Sequence, residues 1–244
     1  MTTVVQHVLN RLRDIGVQHV FGVPGDYVFP VNDAVAEHPD VEWVGSCNEL
    51  NAAYSADGYA RVHGVGAVST TYGVGELSAM CGIAGAYTEH LPVFQLVGMP
   101  AMPVQAHHTI VHHTLGNGDF DLFRKMADPV VCASAVMTPQ NVAAETERLV
   151  AAALYHRRPV YMAFPSDLAN MAVVGEAQPI PAPVSDPAQL GSAPRQALRR
   201  PLGDRTVLGG SARHSGPARH DVLTSQVKMK QHGGRALASP LPGR

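Results

Sequence analysis

The chain is 244 residues long, 45% hydrophobic and 16% charged, with 18 Lys/Arg against 20 Asp/Glu, a length that fits one large domain or two small ones. Residues 1–190 carry 8 Lys/Arg and 18 Asp/Glu, a net charge of −10, whereas residues 191–244 carry 10 and 2, a net of +8. The first segment, rich in Val, Ala, Leu and Met at low charge, excludes a disordered or fibrous protein.

Thr3 caps a helix whose apolar positions Val4, Val5, Val8, Leu9, Leu12 and Ile15 share one face, and Gly16 is placed to end it. A strand over Val17–Val23 follows, then the turn Pro24-Gly25-Asp26, a weak helix near Phe29–Ala36, a strand over Val41–Ser46 and a helix from about Asn48 to Val62. Strand Val65–Tyr72 leads through Gly73-Val74-Gly75 into a helix with Leu77, Met80, Cys81, Ala84 and Tyr87 on one stripe, and Pro92–Val97 is a further β-rich run. A Met/Pro/His-rich loop spans Met99 to about Asp119. Strand Val130–Val136, a helix opened by Thr138-Pro139 and running to about His156, and strand Pro159–Phe164 complete the pattern. Strands without polar alternation, separated by helices, indicate an α/β domain: an open, mainly parallel sheet of about six strands with helices on both faces, ending near residue 175.

No run of eighteen apolar residues occurs, and the start Met1-Thr2-Thr3-Val4-Val5-Gln6-His7 lacks the basic flank and apolar core of a signal peptide. A cytoplasmic protein without a membrane span is expected. Cys47, Cys81 and Cys132 are widely spaced and form no C-x-x-C, which disfavours a disulfide framework or a cysteine zinc site; each reads as a small core residue.

In open parallel sheets ligands sit at the carboxyl ends of the strands. Four segments fall there: Pro24-Gly25-Asp26, Asn48-Glu49, Thr71-Tyr72-Gly73-Val74-Gly75, and the loop carrying His107, His108, His112 and His113. Two carboxylates, a glycine turn and a histidine cluster are therefore expected on one edge. Each has an ordinary structural reading as well: Glu49 favours a helix N-terminus, and Asp26 suits a turn. Gly73-Val74-Gly75 lacks the third glycine of the dinucleotide fingerprint, and Glu76 would set a negative charge where a phosphate belongs, which argues against a nicotinamide site. The histidines offer surface, metal or acid–base readings; zinc is disfavoured because the loop has no cysteine and no H-E-x-x-H glutamate.

Five segments taken together are more specific: Phe21-Gly22-Val23-Pro24-Gly25-Asp26-Tyr27, Cys47-Asn48-Glu49-Leu50-Asn51-Ala52, Asp57-Gly58-Tyr59-Ala60-Arg61, Thr71-Tyr72-Gly73-Val74-Gly75-Glu76-Leu77-Ser78-Ala79, and His112-His113-Thr114-Leu115-Gly116. In this order they resemble the N-terminal, pyrimidine-binding domain of thiamine diphosphate-dependent 2-oxo acid decarboxylases of the pyruvate/indolepyruvate decarboxylase group. The resemblance implies non-oxidative decarboxylation of a 2-oxo acid, of pyruvate, indolepyruvate or branched-chain type, to an aldehyde and carbon dioxide. It implies that Glu49 is the carboxylate facing the cofactor's pyrimidine ring, that Thr71 and Val74 pack near the cofactor, and that Asp26, His112 and His113 are the acid–base residues. It also implies a homodimer or tetramer, with each active site between a pyrimidine domain of one subunit and a diphosphate domain of another.

The family's Mg²⁺ motif, a Gly-Asp-Gly followed by an Asn pair, has no counterpart in these 244 residues: Gly203-Asp204 is followed by Arg205, and no asparagine occurs beyond Asn170. Residues 176–190 read as a Pro-rich linker. Residues 191–244 hold 9 Leu, Ile, Val or Phe and 13 Gly or Pro with no Phe, Trp or Tyr, which reads as a disordered basic tail arising from a frameshift or gene-model break. Without interleaved aromatics it is not expected to bind nucleic acid. Three forms of activity follow as expectations: a chain inactive alone, one subunit of a split decarboxylase with a separate diphosphate-binding chain, or a non-catalytic interaction or regulatory domain.

Overall fold

Thr3 begins the fold as expected. Its Oγ1 accepts the Gln6 N–H at 3.2 Å while the Gln6 side chain accepts the Thr3 N–H at 3.1 Å, a reciprocal cap that satisfies two donors at the start of helix α1 (Val4–Asp14). The computed structural model describes residues 1–176 and 180, all within one unit, Met1–Asp186. The basic tail and nearly all of the Pro-rich linker lie outside the described residues.

After α1 come β1 (His19–Gly22), α2 (Phe29–Ala36), β2 (Glu42–Gly45), α3 (Glu49–His63), β3 (Gly66–Thr70), α4 (Val74–Thr88) and β4 (Val93–Met99), then α5 (Met102–Ala106), α6 (Leu122–Ala127), β5 (Ala133–Val136), α7 (Val142–His156) and β6 (Val160–Pro165). The six strands pair in the order β2-β1-β3-β4-β6-β5, every pair parallel. Strand β1 sends its chain outward to β2, and the chain then crosses back to β3 on the other side of β1. The loops after β1 and β3 therefore leave in opposite directions and open a crevice at the carboxyl edge.

Alternate strand residues feed two cores. Phe94, Leu96, Val160, Met162 and Phe164 face α1, α2 and α7, whereas Val93, Val97, Tyr161 and Ala163 face α3, α4 and α6. Burial on both sides is why these strands read as unbroken apolar runs.

The structure differs from the sequence reading in four places. The Met99–Asp119 loop contains the helix α5, and a further short helix, α6, follows it. Thr138-Pro139 forms a turn rather than a helix start: Thr138 and Asn141 exchange side-chain hydrogen bonds at 2.8 and 3.3 Å, and α7 begins only at Val142. The buried face of α4 is Gly75, Glu76, Ala79, Gly82, Ile83 and Ala86, leaving the stripe of Leu77, Met80, Cys81, Ala84 and Tyr87 half-buried or exposed. Cys47 and Cys81 are exposed and Cys132 is half-buried, so none is a core residue. No helix among the described residues is long and apolar enough to cross a membrane.

Candidate functional site

Asp26 opens a short 3₁₀ turn, Asp26–Val28, directly after β1. The preceding Gly25 lies so close to Thr71 that a Cβ there would stand 2.5 Å from the Thr71 Cβ, and the backbone of Tyr27 rests on Gly98 of β4. So anchored, Asp26 meets His112 from the loop after β4, with Oδ2 and Nε2 2.6 Å apart. An ionised carboxylate only accepts, so His112 Nε2 carries the proton of this bond. Tyr27 stacks on the His112 ring, 4.9 Å between centroids and 19° between planes, with its hydroxyl 3.4 Å from Nδ1. Burial, and then the charge of Asp26, raise the Tyr27 phenol above its ordinary value. The His113 ring stands edge-on to His112 at 4.5 Å, and its buried Nδ1 has no hydrogen-bond partner. His113 adopts a left-handed backbone, φ +61°, an uncommon conformation for a residue with a Cβ.

The turn after β3 joins these residues to Glu49. Gly73 has φ +64° and ψ −93°, and a Cβ on it would collide with the carbonyl oxygen of His113. Only glycine fits there. At Gly75 a Cβ would stand 3.0 Å from Thr71 Cγ2 and 3.1 Å from Glu49 Oε1, so the Glu49 carboxylate borders this turn. Glu49 is the first residue of α3, behind Asn48, whose Oδ1 accepts the Asn51 N–H at 2.9 Å. Thr71 Oγ1 is buried without a partner, and the Val74 side chain is exposed.

The expected residues thus come together in two touching groups. Asp26, His112 and His113 bring one ligand-type atom each within 4.8 Å of one another; Glu49, Thr71 and Val74 line or border the glycine turn. His107 and His108 do not join them: their Nδ1 atoms bond the backbone carbonyls of Pro103 and Gly118, each at 2.7 Å, and so hold the loop. Asp26 supplies from another element the third ligand that the histidine loop lacked for metal binding. Even so, its 2.6 Å contact with His112 is that of a charge-assisted hydrogen bond, tighter than two ligands of one zinc ion stand.

Sequence reasoning missed what Glu76 does. Its carboxylate, 2% exposed, accepts the Gly73 N–H at Oε1 and the Tyr161 hydroxyl of β6 at Oε2, both at 2.8 Å. Burial pushes it up to about 7 against the pull of these two bonds. The Gly73-x-x-Glu76 spacing, that of a helix-start acid reaching back to the cap, was the available signal.

An all-parallel, open α/β sheet with a carboxylate at a helix start and an Asp–His–His cluster on the switch-point edge defines a ligand-binding domain of the doubly wound class. Comparison with known proteins narrows the class. Residues 2–119 match the family described as thiamine pyrophosphate enzyme, N-terminal TPP binding domain.

Among curated relatives, an alpha-keto-acid decarboxylase of Mycobacterium leprae is 43% identical over 179 residues, 73% of this chain and 32% of that protein. A pyruvate decarboxylase of Kluyveromyces lactis is 37% identical over 241 residues, 98% of this chain and 41% of that protein; this second match runs past residue 190, into the basic segment. The chain spans about a third of the length of the mycobacterial relative. The structure of a thiamine diphosphate-dependent 4-hydroxybenzoylformate decarboxylase of Rhodococcus jostii shares the fold with a TM-score of 0.65 at 22% identity, over 78% of this chain and 36% of that one.

Proposed function

We propose that this chain supplies the pyrimidine-binding side of the active site of a thiamine diphosphate-dependent decarboxylase that converts a 2-oxo acid of the pyruvate, indolepyruvate or branched-chain type to an aldehyde and carbon dioxide. The observation that carries the reading is the meeting of Asp26, His112 and His113 beside the same Thr71–Gly75 turn that borders Glu49. The orphaned Thr71 Oγ1 and His113 Nδ1 at this edge suit a polar ligand. Glu49, Thr71 and Val74 would hold the pyrimidine ring, Glu49 with its charge favoured by the start of α3. Thiamine diphosphate, when bound, supplies the nucleophile and electron sink that a 2-oxo acid needs to lose carbon dioxide.

The reaction exchanges a carboxylate for a proton on one carbon, so the site needs a donor that is reloaded at each turnover. The Asp26–His112 pair holds one transferable proton at Nε2, and the stacked Tyr27 keeps the ring in place. His113, beside it, offers a second exchangeable nitrogen. A positioned donor of this kind is worth about 10²–10⁴ in rate. Mg²⁺ and the diphosphate would be held elsewhere, by a diphosphate-binding domain of a second subunit or a separate chain. The outward apolar stripe of α4, with Tyr54 and Val62 of α3 53% and 81% exposed, supports docking of such a subunit at this face.

Calorimetric titration with thiamine diphosphate and Mg²⁺, followed by aldehyde assays on pyruvate and indolepyruvate, tests the reading. The 244 residues alone are expected to bind weakly and not to turn over. Mixed with the separately produced diphosphate-binding region of a relative, they are expected to release aldehyde, at a rate that Glu49→Gln lowers by about 10² or more. Turnover by the chain alone at the rate of a full-length decarboxylase, or full activity of Glu49→Gln in the mixture, overturns the proposal.

A further inference from the structure

Glu76 is the buried acid that this mechanism leaves unused. It occupies the first turn of α4, and its two acceptor bonds run in different directions, to the Gly73 amide at the head of its own helix and to Tyr161 in the sheet. The Gly73 backbone in turn touches the His113 carbonyl, with no room for a side chain between them. We propose that Glu76 is a positioning residue for His113: its carboxyl sets the Gly73 turn on which the His113 backbone rests, so that a proton gained or lost at Glu76 is transmitted to the histidine pair.

The two hydrogen bonds provide the route for this coupling. An ionised carboxylate accepts from both Gly73 and Tyr161. A neutral carboxyl keeps one pure acceptor and gains a donor. If the proton sits on Oε2, the Tyr161 hydroxyl must turn round and accept, and its own proton then needs a new acceptor in a fully buried place. If it sits on Oε1, the Gly73 N–H loses its acceptor, a cost that buried groups do not bear without moving. In the second case the turn under His113 itself must move; in the first the strain falls on Tyr161 and reaches Gly73 through the carboxyl that both groups bond.

The groups facing Glu76 leave it free to titrate. Tyr161 on β6 and Tyr72 on the preceding loop are both held well above the ordinary phenol value by burial, so both stay neutral. Asp119 and Asp121 act on Tyr72. Arg124 of α6 acts on Tyr161 and is itself paired with Asp121 and Asp128. With its midpoint near neutrality, Glu76 samples both states under ordinary conditions.

The consequence for turnover rests on the acid–base reading of His112 and His113; the structural coupling does not. NMR of the full 244-residue chain between pH 5 and 9, without cofactor or substrate, tests it. The Gly73 amide and the His113 carbonyl carbon are expected to share a transition near pH 7, separate from the ring titrations followed at the histidine Cε1–Hε1 pairs. In Glu76→Gln, which keeps an acceptor for Gly73, that shared transition is expected to vanish while the ring curves remain. Tyr161→Phe, which removes a bond favouring the charged form, is expected to move it upward. Persistence of the transition in Glu76→Gln, or a Gly73 transition that His113 does not follow, overturns the proposal. Because no turnover is measured, failure of the decarboxylase reading and failure of this one are told apart.

Discussion

Asp26 and His112 meet with about half of each side chain in water, where an ion pair adds at most about 1 kcal/mol to stability. Their contact therefore serves the site more than the scaffold. Glu76 is the reverse case. Burial raises its folded-state value from 4.5 to about 7, so the stability it contributes is fully present below pH 4.5 and is lost as pH rises through 7. At 1.36 kcal/mol per unit this amounts to about 3 kcal/mol. Glu76→Gln is expected to match the parent chain near pH 4.5 and to exceed it by up to about 3 kcal/mol at pH 8, as read by urea denaturation at the two pH values. Equal stability of the two proteins at pH 8 would show that ionising Glu76 costs the fold nothing. The placement of the candidate residues was legible: Asp26, Glu49, His112 and His113 all follow the carboxyl ends of strands, in loops or at a helix start, on the edge where a parallel sheet seats ligands. The fine structure was not, because the partner of each is remote in sequence; the contact of Gly73 with His113 and the bond from Tyr161 to Glu76 leave no local pattern.

The central strands β3, β4 and β6 were readable because they are buried on both faces and run largely apolar; β1, β2 and β5 are only partly buried and were placed by the helices and turns on either side of them. The short helices α5 and α6 were hidden in a stretch whose Met, Pro and His residues carry no period. The face of α4 was misread for a physical reason: small residues, rather than large ones, turn inward where α3 and α4 approach. At Gly82 a Cβ would stand 2.6 Å from the Ala53 Cβ and 3.0 Å from the Tyr54 amide nitrogen. Gly82→Val is therefore expected to force the helices apart and cost about 1–3 kcal/mol. Gly58, in the middle of α3 with nothing within 4 Å of an added Cβ, is its control. Gly58→Ala is expected to stabilise by about 0.5–1 kcal/mol, through helix propensity and a less flexible unfolded chain. Chemical denaturation of both variants measures the pair, and a destabilised Gly58→Ala would mean that this helix surface is under a constraint other than its own packing.

At the scale of the whole molecule, the question is whether the described residues make a self-sufficient domain, as the change of charge near residue 190 suggests. The last segment returns to the first helix. Met171 and Ala169 carbonyls accept the Val4 and Val5 N–H groups, Val173 donates to the Thr2 carbonyl and Val174 to that of Pro139, and Thr3 and Ala172 form an antiparallel bridge. Arg11 of α1 grips Glu147 of α7 through two bonds of 2.6 and 3.1 Å. The amide groups that a free helix start leaves open are in part satisfied by this returning strand, so the ends of the domain close on each other before residue 176. We propose that residues 1–176 fold alone. A chain cut after Glu176 is expected to unfold in one cooperative step with the same dependence on urea concentration as the 244-residue chain, because that slope scales with the surface exposed on unfolding. A clearly smaller slope in the short chain, with a lower midpoint, would mean that residues beyond 176 bury surface against the domain, and would move the boundary into the basic segment that the Kluyveromyces lactis match already covers.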